Sequence, residues 1–353
     1  MKDPSFVAKH LHNAHRNIIS PISLAIYRKR GNDDMISLLN LFEDDARGEF
    51  IFIVTEDLPL PRFPRERSMK HAEAYFCNGI VCLVSADNSN LMLCNPALRQ
   101  FRLVRDSSSE FNDYKFGGLG FGYDSTRDDY MIVRIWTGNL DDRPDDMFAQ
   151  LYSMRTDSWR KIELPKQARY VLALFDYEYR NGICYWILVL EDEKKMILSF
   201  DMRDHMFYCV DLPYEIGSQC QEYLDTKSVT SHMKLVAWKD NLTLFWYPDY
   251  SGLFPSYFEM WLMNDNGSQG SCSWIKHLTI EAVGEGIRTP LVFWNDHELL
   301  MESKDSKAVS YNLQTRKFKK LDVHGLHIYW SFHVKSLVSV VKEEEHEHEQ
   351  EQA

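Results

Sequence analysis

No run among the 353 residues is apolar for the length needed to cross a bilayer, and Met1 is followed by charged residues and Pro4 rather than by a secretory leader. Those two absences predict a cytoplasmic protein. Cysteine is sparse: the seven (Cys77, Cys82, Cys94, Cys184, Cys209, Cys220, Cys272) are odd in number, scattered and mostly set in apolar runs. That pattern predicts reduced core residues rather than a disulfide framework. Basic side chains are in deficit, 40 against 52 acidic, for a formal charge of −12. The segment from Lys342 to Ala353, with six glutamates and one lysine, carries −5 of this and leaves −7 on the body. A nucleic-acid binder needs a basic face to displace counterions, so this balance argues against that class and leaves a basic protein partner open.

Catalytic and metal signatures are also lacking. The chain has no Gly-x-Ser-x-Gly elbow, no His-Glu-x-x-His and no paired Cys-x-x-Cys. Gly118, Gly120 and Gly122 alternate with apolar residues, but a phosphate loop needs a following helix and here a β-rich run follows, so turn and close strand packing explain them better. His10, His12 and His15 have no carboxylate or cysteine at ligand spacing, and His346 and His348 make one weak pair. No metal site and no cofactor is expected.

What the chain does contain is a worn repeat. A small or polar residue stands six positions before an aromatic one in Asn95 and Phe101, Ser153 and Trp159, Asp201 and Phe207, and Asn312 and Phe318. That offset predicts two strands around a turn of about four residues, with the aromatic opening the return strand. Leu262 and Trp274 form a looser copy, with the longer turn Asn264 to Gly270. Most copies are preceded by a second recurrence, a turn leading into a strand: Cys77-Asn-Gly-Ile80, Arg180-Asn-Gly-Ile183, Trp238-Lys-Asp-Asn241 and Trp294-Asn-Asp-His297. The aromatic anchors lie 58, 48, 67 and 44 residues apart. Units of about 40 to 50 residues with several short strands point to propeller blades. With Met35 to Leu58 taken as the first, about six units are expected, in an irregular, all-β propeller. A large β-sandwich of similar strand content is the alternative. The run His327 to Val340 could complete the first blade.

The two ends differ from this body. Asp3 to Ala14 reads as a short helix, with Asp3 as cap, Pro4 at the first position and Phe6, Val7 and Leu11 near one face. The acidic segment from residue 342 has nothing apolar to bury and is expected to be disordered. The organisation expected is therefore residues 1–16, a β domain over 17–341 and a tail over 342–353. Three clusters are candidates for partner contact: Asp141, Asp142, Asp145 and Asp146 in one acidic loop, Tyr177 with Glu178, and Tyr247 with Asp249. Loops on a rigid scaffold commonly carry recognition, and tyrosine beside acid suits an interface. A propeller-fold glycoside hydrolase using two facing carboxylates is the less favoured reading.

Several of these stretches match a family. Leu93-Cys-Asn-Pro-Ala-Leu-Arg-Gln-Phe101, Gly120-Phe-Gly-Tyr-Asp-Ser125, Asp129-Tyr-Met-Ile-Val-Arg-Ile135 and Tyr152-Ser-Met-Arg-Thr-Asp-Ser-Trp-Arg160 resemble the F-box-associated domain of plant F-box proteins. Order and spacing over Met35 to Val340 most resemble the S-locus F-box branch, and Ser336 to Val340 is similar to its closing segment. The resemblance implies a non-enzymatic, substrate-recognition subunit of a Skp–cullin–F-box ubiquitin ligase, with a pistil S-ribonuclease or another protein as target. Lys2 to Leu11 looks like only the last helix of an F-box, so Phe6, Val7 and Leu11 would be its adaptor-side remnant. The Skp-type adaptor and cullin are implied only where a complete F-box is present, and the sequence is expected to be a fragment.

Overall fold

A computed structural model describes residues 23–30, 33–44, 49–61, 71–85, 88, 90–104, 114–138, 147–168, 171–190, 194–216, 233–247, 254–268, 271–305, 307–321, 329–332 and 335–341. The helix expected over Asp3 to Ala14, the acidic tail, Cys220, Asp249 and the loop from Asp141 to Asp146 lie outside them.

The chain divides into two compact units, Met1–Glu110 with Leu321–Ala353, and Phe111–Lys320. The first holds two antiparallel four-stranded sheets. One contains β1 (Ser23–Arg30), β2 (Asp33–Asp44) and β3 (Glu49–Pro59); the other contains β4 (His71–Cys77), β5 (Ile80–Ser85), β6 (Leu91–Asn95) and β7 (Gln100–Val104). The second unit holds four such sheets. They are β8 (Lys115–Asp124), β9 (Asp129–Thr137), β10 (Phe148–Ser153) and β11 (Ser158–Ile162); β12 (Val171–Arg180), β13 (Ile183–Leu190), β14 (Lys195–Asp201) and β15 (Met206–Asp211); β16 (Met233–Trp238), β17 (Asn241–Trp246), β18 (Tyr257–Ser268) and β19 (Ser271–Glu281); and β20 (Ile287–Phe293), β21 (Glu298–Ser303), β22 (Ala308–Asn312) and β23 (Lys317–Lys320). Six separate antiparallel sheets of four strands make a six-bladed β-propeller and not a sandwich.

The six-residue offset is a hairpin with one recurring chemistry. Asn95 pairs with Gln100, Ser153 with Ser158, Asp201 with Met206 and Asn312 with Lys317, each across four turn residues. The leading side chain accepts from the turn it opens: Asn312 Oδ1 takes the N–H groups of Gln314 at 3.0 Å and Thr315 at 2.7 Å, and Asn95 Oδ1 those of Ala97 and Leu98. The last turn residue is left-handed in every copy, with φ of +53° at Arg99, +53° at Asp157, +59° at His205 and +58° at Arg316. The second recurrence joins first and second strands: Asn78 and Gly79, like Asn181 and Gly182, both take positive φ, as a two-residue primed turn requires.

Two expectations change in detail and a third, the completion of the first blade by the closing run, holds. β1 precedes the point where β structure was expected to begin at Met35. The stretch expected as a long turn from Asn264 is strand as far as Ser268, with β19 resuming at Ser271. The closing run supplies β24 (Tyr329–Phe332), which pairs antiparallel with β1, Leu24 opposite Phe332 and Tyr27 opposite Tyr329, so the first sheet runs β24-β1-β2-β3. Beyond it, Asn95 Nδ2 donates to the carbonyls of Ser336 at 3.1 Å and Val338 at 2.7 Å, and the Val340 N–H donates to Gln100.

Each blade buries its faces against its neighbours within a unit. Val133, Ile135 and Leu151 of one sheet pack with Trp186, Leu198 and Phe200 of the next. Ile187 and Ile197 pack in turn with Leu235 and Leu244, and Val236 and Phe245 with Phe293 and Leu299. Cys77, Cys82, Cys94 and Cys184 are buried, and burial pushes Cys94 well above the ordinary thiol range.

Candidate functional site

In the second unit β8, β12, β16 and β20 are first strands, each pairing with one partner only, and β12 stands beside both β8 and β16. An edge strand carries unpaired N–H and C=O groups that need other partners when buried. β8 finds them in the side chains of β12 and β13. The Tyr177 hydroxyl donates to the Phe121 carbonyl at 2.6 Å and accepts from the Phe121 N–H at 3.1 Å. Tyr179 does the same for Tyr123, at 3.3 and 3.1 Å, and the Trp186 indole donates to Leu119 at 2.9 Å. So close an approach requires glycine. A Cβ on Gly120 would lie 2.5 Å from the Trp186 ring, and one on Gly122 would lie 2.5 Å from the Tyr179 ring. The alternating glycines therefore admit aromatic rings to a backbone edge, the packing role their sequence context suggests.

On its other side β12 meets β16 through charge. A bulge between Phe175 and Tyr177 places Asp176 at φ +54°. Its carboxylate accepts from both the Lys234 ammonium and the Leu235 N–H. Glu178 accepts from the Ala237 N–H. It keeps some contact with solvent along its length, while protein crowding around the carboxyl group raises its proton affinity, as does Asp176, against the opposing pull of Lys234; the net effect is a pKa pushed up to about 8. Burial alone would lower Lys234, but the Asp176 and Glu178 charges hold it above the ordinary lysine value. Arg180 pairs with Asp240 at 3.0 Å. A raised carboxyl is what a glycosidase acid needs, but such enzymes set two carboxyl groups either side of a scissile bond. Asp176 and Glu178 instead converge on one lysine.

The strands that flank residues 139–146 carry a cluster of aromatic rings. β9 ends at Thr137 and β10 starts at Phe148, and there Trp136 stacks on Phe148 with centroids 6.4 Å apart, Tyr114 meets Phe148 edge-on at 4.9 Å and Lys161 sits 5.2 Å over the same ring. Below them Arg134, fully buried, lies over Trp136 and Trp159 at 5.1 and 5.4 Å. Thus Tyr177 and Glu178 are engaged within the protein, Tyr247 is 9% exposed and packs on Phe258, and Asp141, Asp142, Asp145, Asp146 and Asp249 lie outside the described residues. Lys234, whose part a lone lysine in an apolar run does not advertise, is the residue that sequence reasoning missed. Among the described residues no group of three or more His, Cys, Asp or Glu is placed to hold a metal ion, and no helix is long and apolar enough to cross a membrane.

A six-bladed propeller whose loops stand on packed stems, with buried charges turned on one another, defines a scaffold of the kind that presents loops. Residues 49–349 match the model of the F-box associated beta propeller domain, and the chain belongs to that family. Among curated proteins of Arabidopsis thaliana, it is similar to a putative F-box protein, 31% identical with 47% of this chain and 46% of the relative covered. It is similar also to the F-box protein CPR1, 26% identical with 70% and 62% covered, and to a putative F-box/kelch-repeat protein, 26% identical with 64% and 54% covered. The chain thus spans about half to three fifths of the length of these relatives.

Proposed function

We propose that this propeller is the target-recognition part of a Skp–cullin–F-box ubiquitin ligase and performs no chemistry itself. The observation that carries the reading is the family match over residues 49–349, joined to relatives that are F-box proteins. The adaptor would grip an F-box, and ubiquitin transfer would belong to the recruited enzyme. The target would be a protein with a basic surface: the body carries −7, and Asp141, Asp142, Asp145 and Asp146 crowd four carboxylates into one loop between aromatic stems. On the S-locus resemblance that target is a pistil S-ribonuclease. Asp249 is a second acidic candidate for target contact that the sequence offers.

Affinity capture with pistil ribonucleases, followed by titration of binding against salt, tests this. Binding should weaken as ionic strength rises through the physiological range, and replacing the four aspartates by asparagine should weaken it about tenfold, with most of the loss in the association rate. Binding that ignores both salt and the substitutions would remove the acidic loop from the interface. Binding to no ribonuclease of the panel would remove that target while leaving the ligase role to be tested with other proteins.

A further inference from the structure

The contact between β12 and β16 holds more negative than positive charge. The Asp176 carboxylate accepts from the Lys234 ammonium and from the Leu235 N–H together. Arg180, the other cation on this face of β12, is turned to Asp240 in the turn between β16 and β17, and its Nε is buried without a hydrogen-bond partner. Tyr247, at the end of β17, faces Lys234. Tyr185 stands opposite Glu178 in the β12–β13 register. Glu178 is left with the Ala237 N–H, a share of one lysine already paired and the weaker pull of an arginine committed to Asp240, so the three carboxylates outnumber the two cations by one. An ionised Glu178 would thus stand as an uncompensated charge between two strands, and one proton restores neutrality.

We propose that Asp176, Glu178 and Lys234 form a proton-binding clasp between the two middle blades of the second unit, in which Glu178 carries a proton under neutral conditions and loosens the β12–β16 contact when it gives the proton up. The bulge belongs to the device. It holds a non-glycine residue at φ +54°, a conformation the chain keeps only where surrounding contacts repay it, and here the repayment is the double hold on Lys234 and Leu235. The proton acts on strand contact and not on a substrate, so the clasp would set how firmly these blades hold as cellular pH changes.

The sign follows from linkage. Glu178 binds its proton more tightly in the folded chain than in the unfolded one, so the stability it lends is complete below the ordinary glutamate value near 4.5 and is lost as pH rises to about 8. His205 and His277 shift the other way, chiefly through burial, so their contribution still grows as pH rises through 6.5 and is complete only about a unit above it, while Cys94 and Cys209, pushed up by burial, begin to lose theirs towards pH 8.5. Glu178→Gln keeps those histidines and cysteines, so the difference between wild type and Glu178→Gln in urea unfolding of the full chain between pH 6.5 and 8.5 isolates the clasp. Relative to Glu178→Gln, the wild-type midpoint should fall across this range and level off near its upper end, so that the variant exceeds wild type at pH 8.5. Equal slopes in the two proteins would overturn the proposal. Should Glu178→Gln fail to fold, infrared spectroscopy of the wild type decides: a protonated-carboxyl carbonyl band at pH 6.5 that vanishes by pH 9 is expected, and its absence at pH 6.5 also overturns the clasp.

Discussion

At the scale of single residues, this protein closes hairpins with side chains that polar sequence letters announce and with backbone angles that they do not. Asn95, Asp201 and Asn312 each fold a carboxamide or carboxylate oxygen onto the turn they open, and the fourth turn residue goes left-handed although it is arginine, aspartate or histidine. A non-glycine residue there costs about 1 kcal/mol relative to glycine. Arg316 is exposed at φ +58°, and its N–H donates to Asn312 through the main chain, which glycine preserves. Arg316→Gly is therefore expected to stabilise the protein by about 1 kcal/mol and to raise the thermal midpoint by about 2 °C, read by calorimetry. A lower midpoint would show that the arginine side chain matters more than the backbone.

At the scale of elements, the unusual contact is between a glycine-rich strand edge and tyrosines from the neighbouring blade. Tyr179 supplies both a donor and an acceptor to Tyr123, so Tyr179→Phe leaves a main-chain N–H and C=O without these partners while keeping the ring. A loss of about 1 to 3 kcal/mol in urea unfolding is expected, with faster amide exchange at Tyr123 and none at Ile187, which lies inside a paired strand. Unchanged exchange at Tyr123 would mean that water already serves that edge. This element also shows where sequence reading stops. Hairpins are local, so Asn-Gly pairs and the six-residue offset made them legible, together with the number of blades. The destinations of Tyr177, Glu178 and Lys234 are set by partners 56 to 59 residues away, as in the bonds from Tyr179 to Tyr123 and from Asp176 to Leu235. The bulge at Asp176 then breaks the period-two alternation from which a strand's two faces are read. A tyrosine that caps a neighbour's edge and one that waits for a partner look the same in one dimension.

At the scale of the whole molecule, the first sheet is assembled from residues close to both ends of the sequence. β24 covers the β1 edge, and Asn95 and Gln100 fasten the stretch after it through Ser336, Val338 and Val340. Removing residues from Tyr329 onward exposes that edge, and amides from Leu24 to Tyr27 should lose protection by at least tenfold in hydrogen exchange, while those of β13 in the other unit keep theirs. Retained protection at β1 would show that β24 is dispensable.

The same pairing has a consequence for how the protein is made. A ribosome delivers Arg30 long before Tyr329, and at about 5 to 20 residues per second the interval is roughly 15 to 60 s. Throughout it β1 has a finished neighbour on one side and none on the other, while the strands of the second unit are synthesised and able to pair. The nascent chain thus passes through a stage with one open, apolar edge, and that edge is the segment a cotranslational chaperone would have to shield.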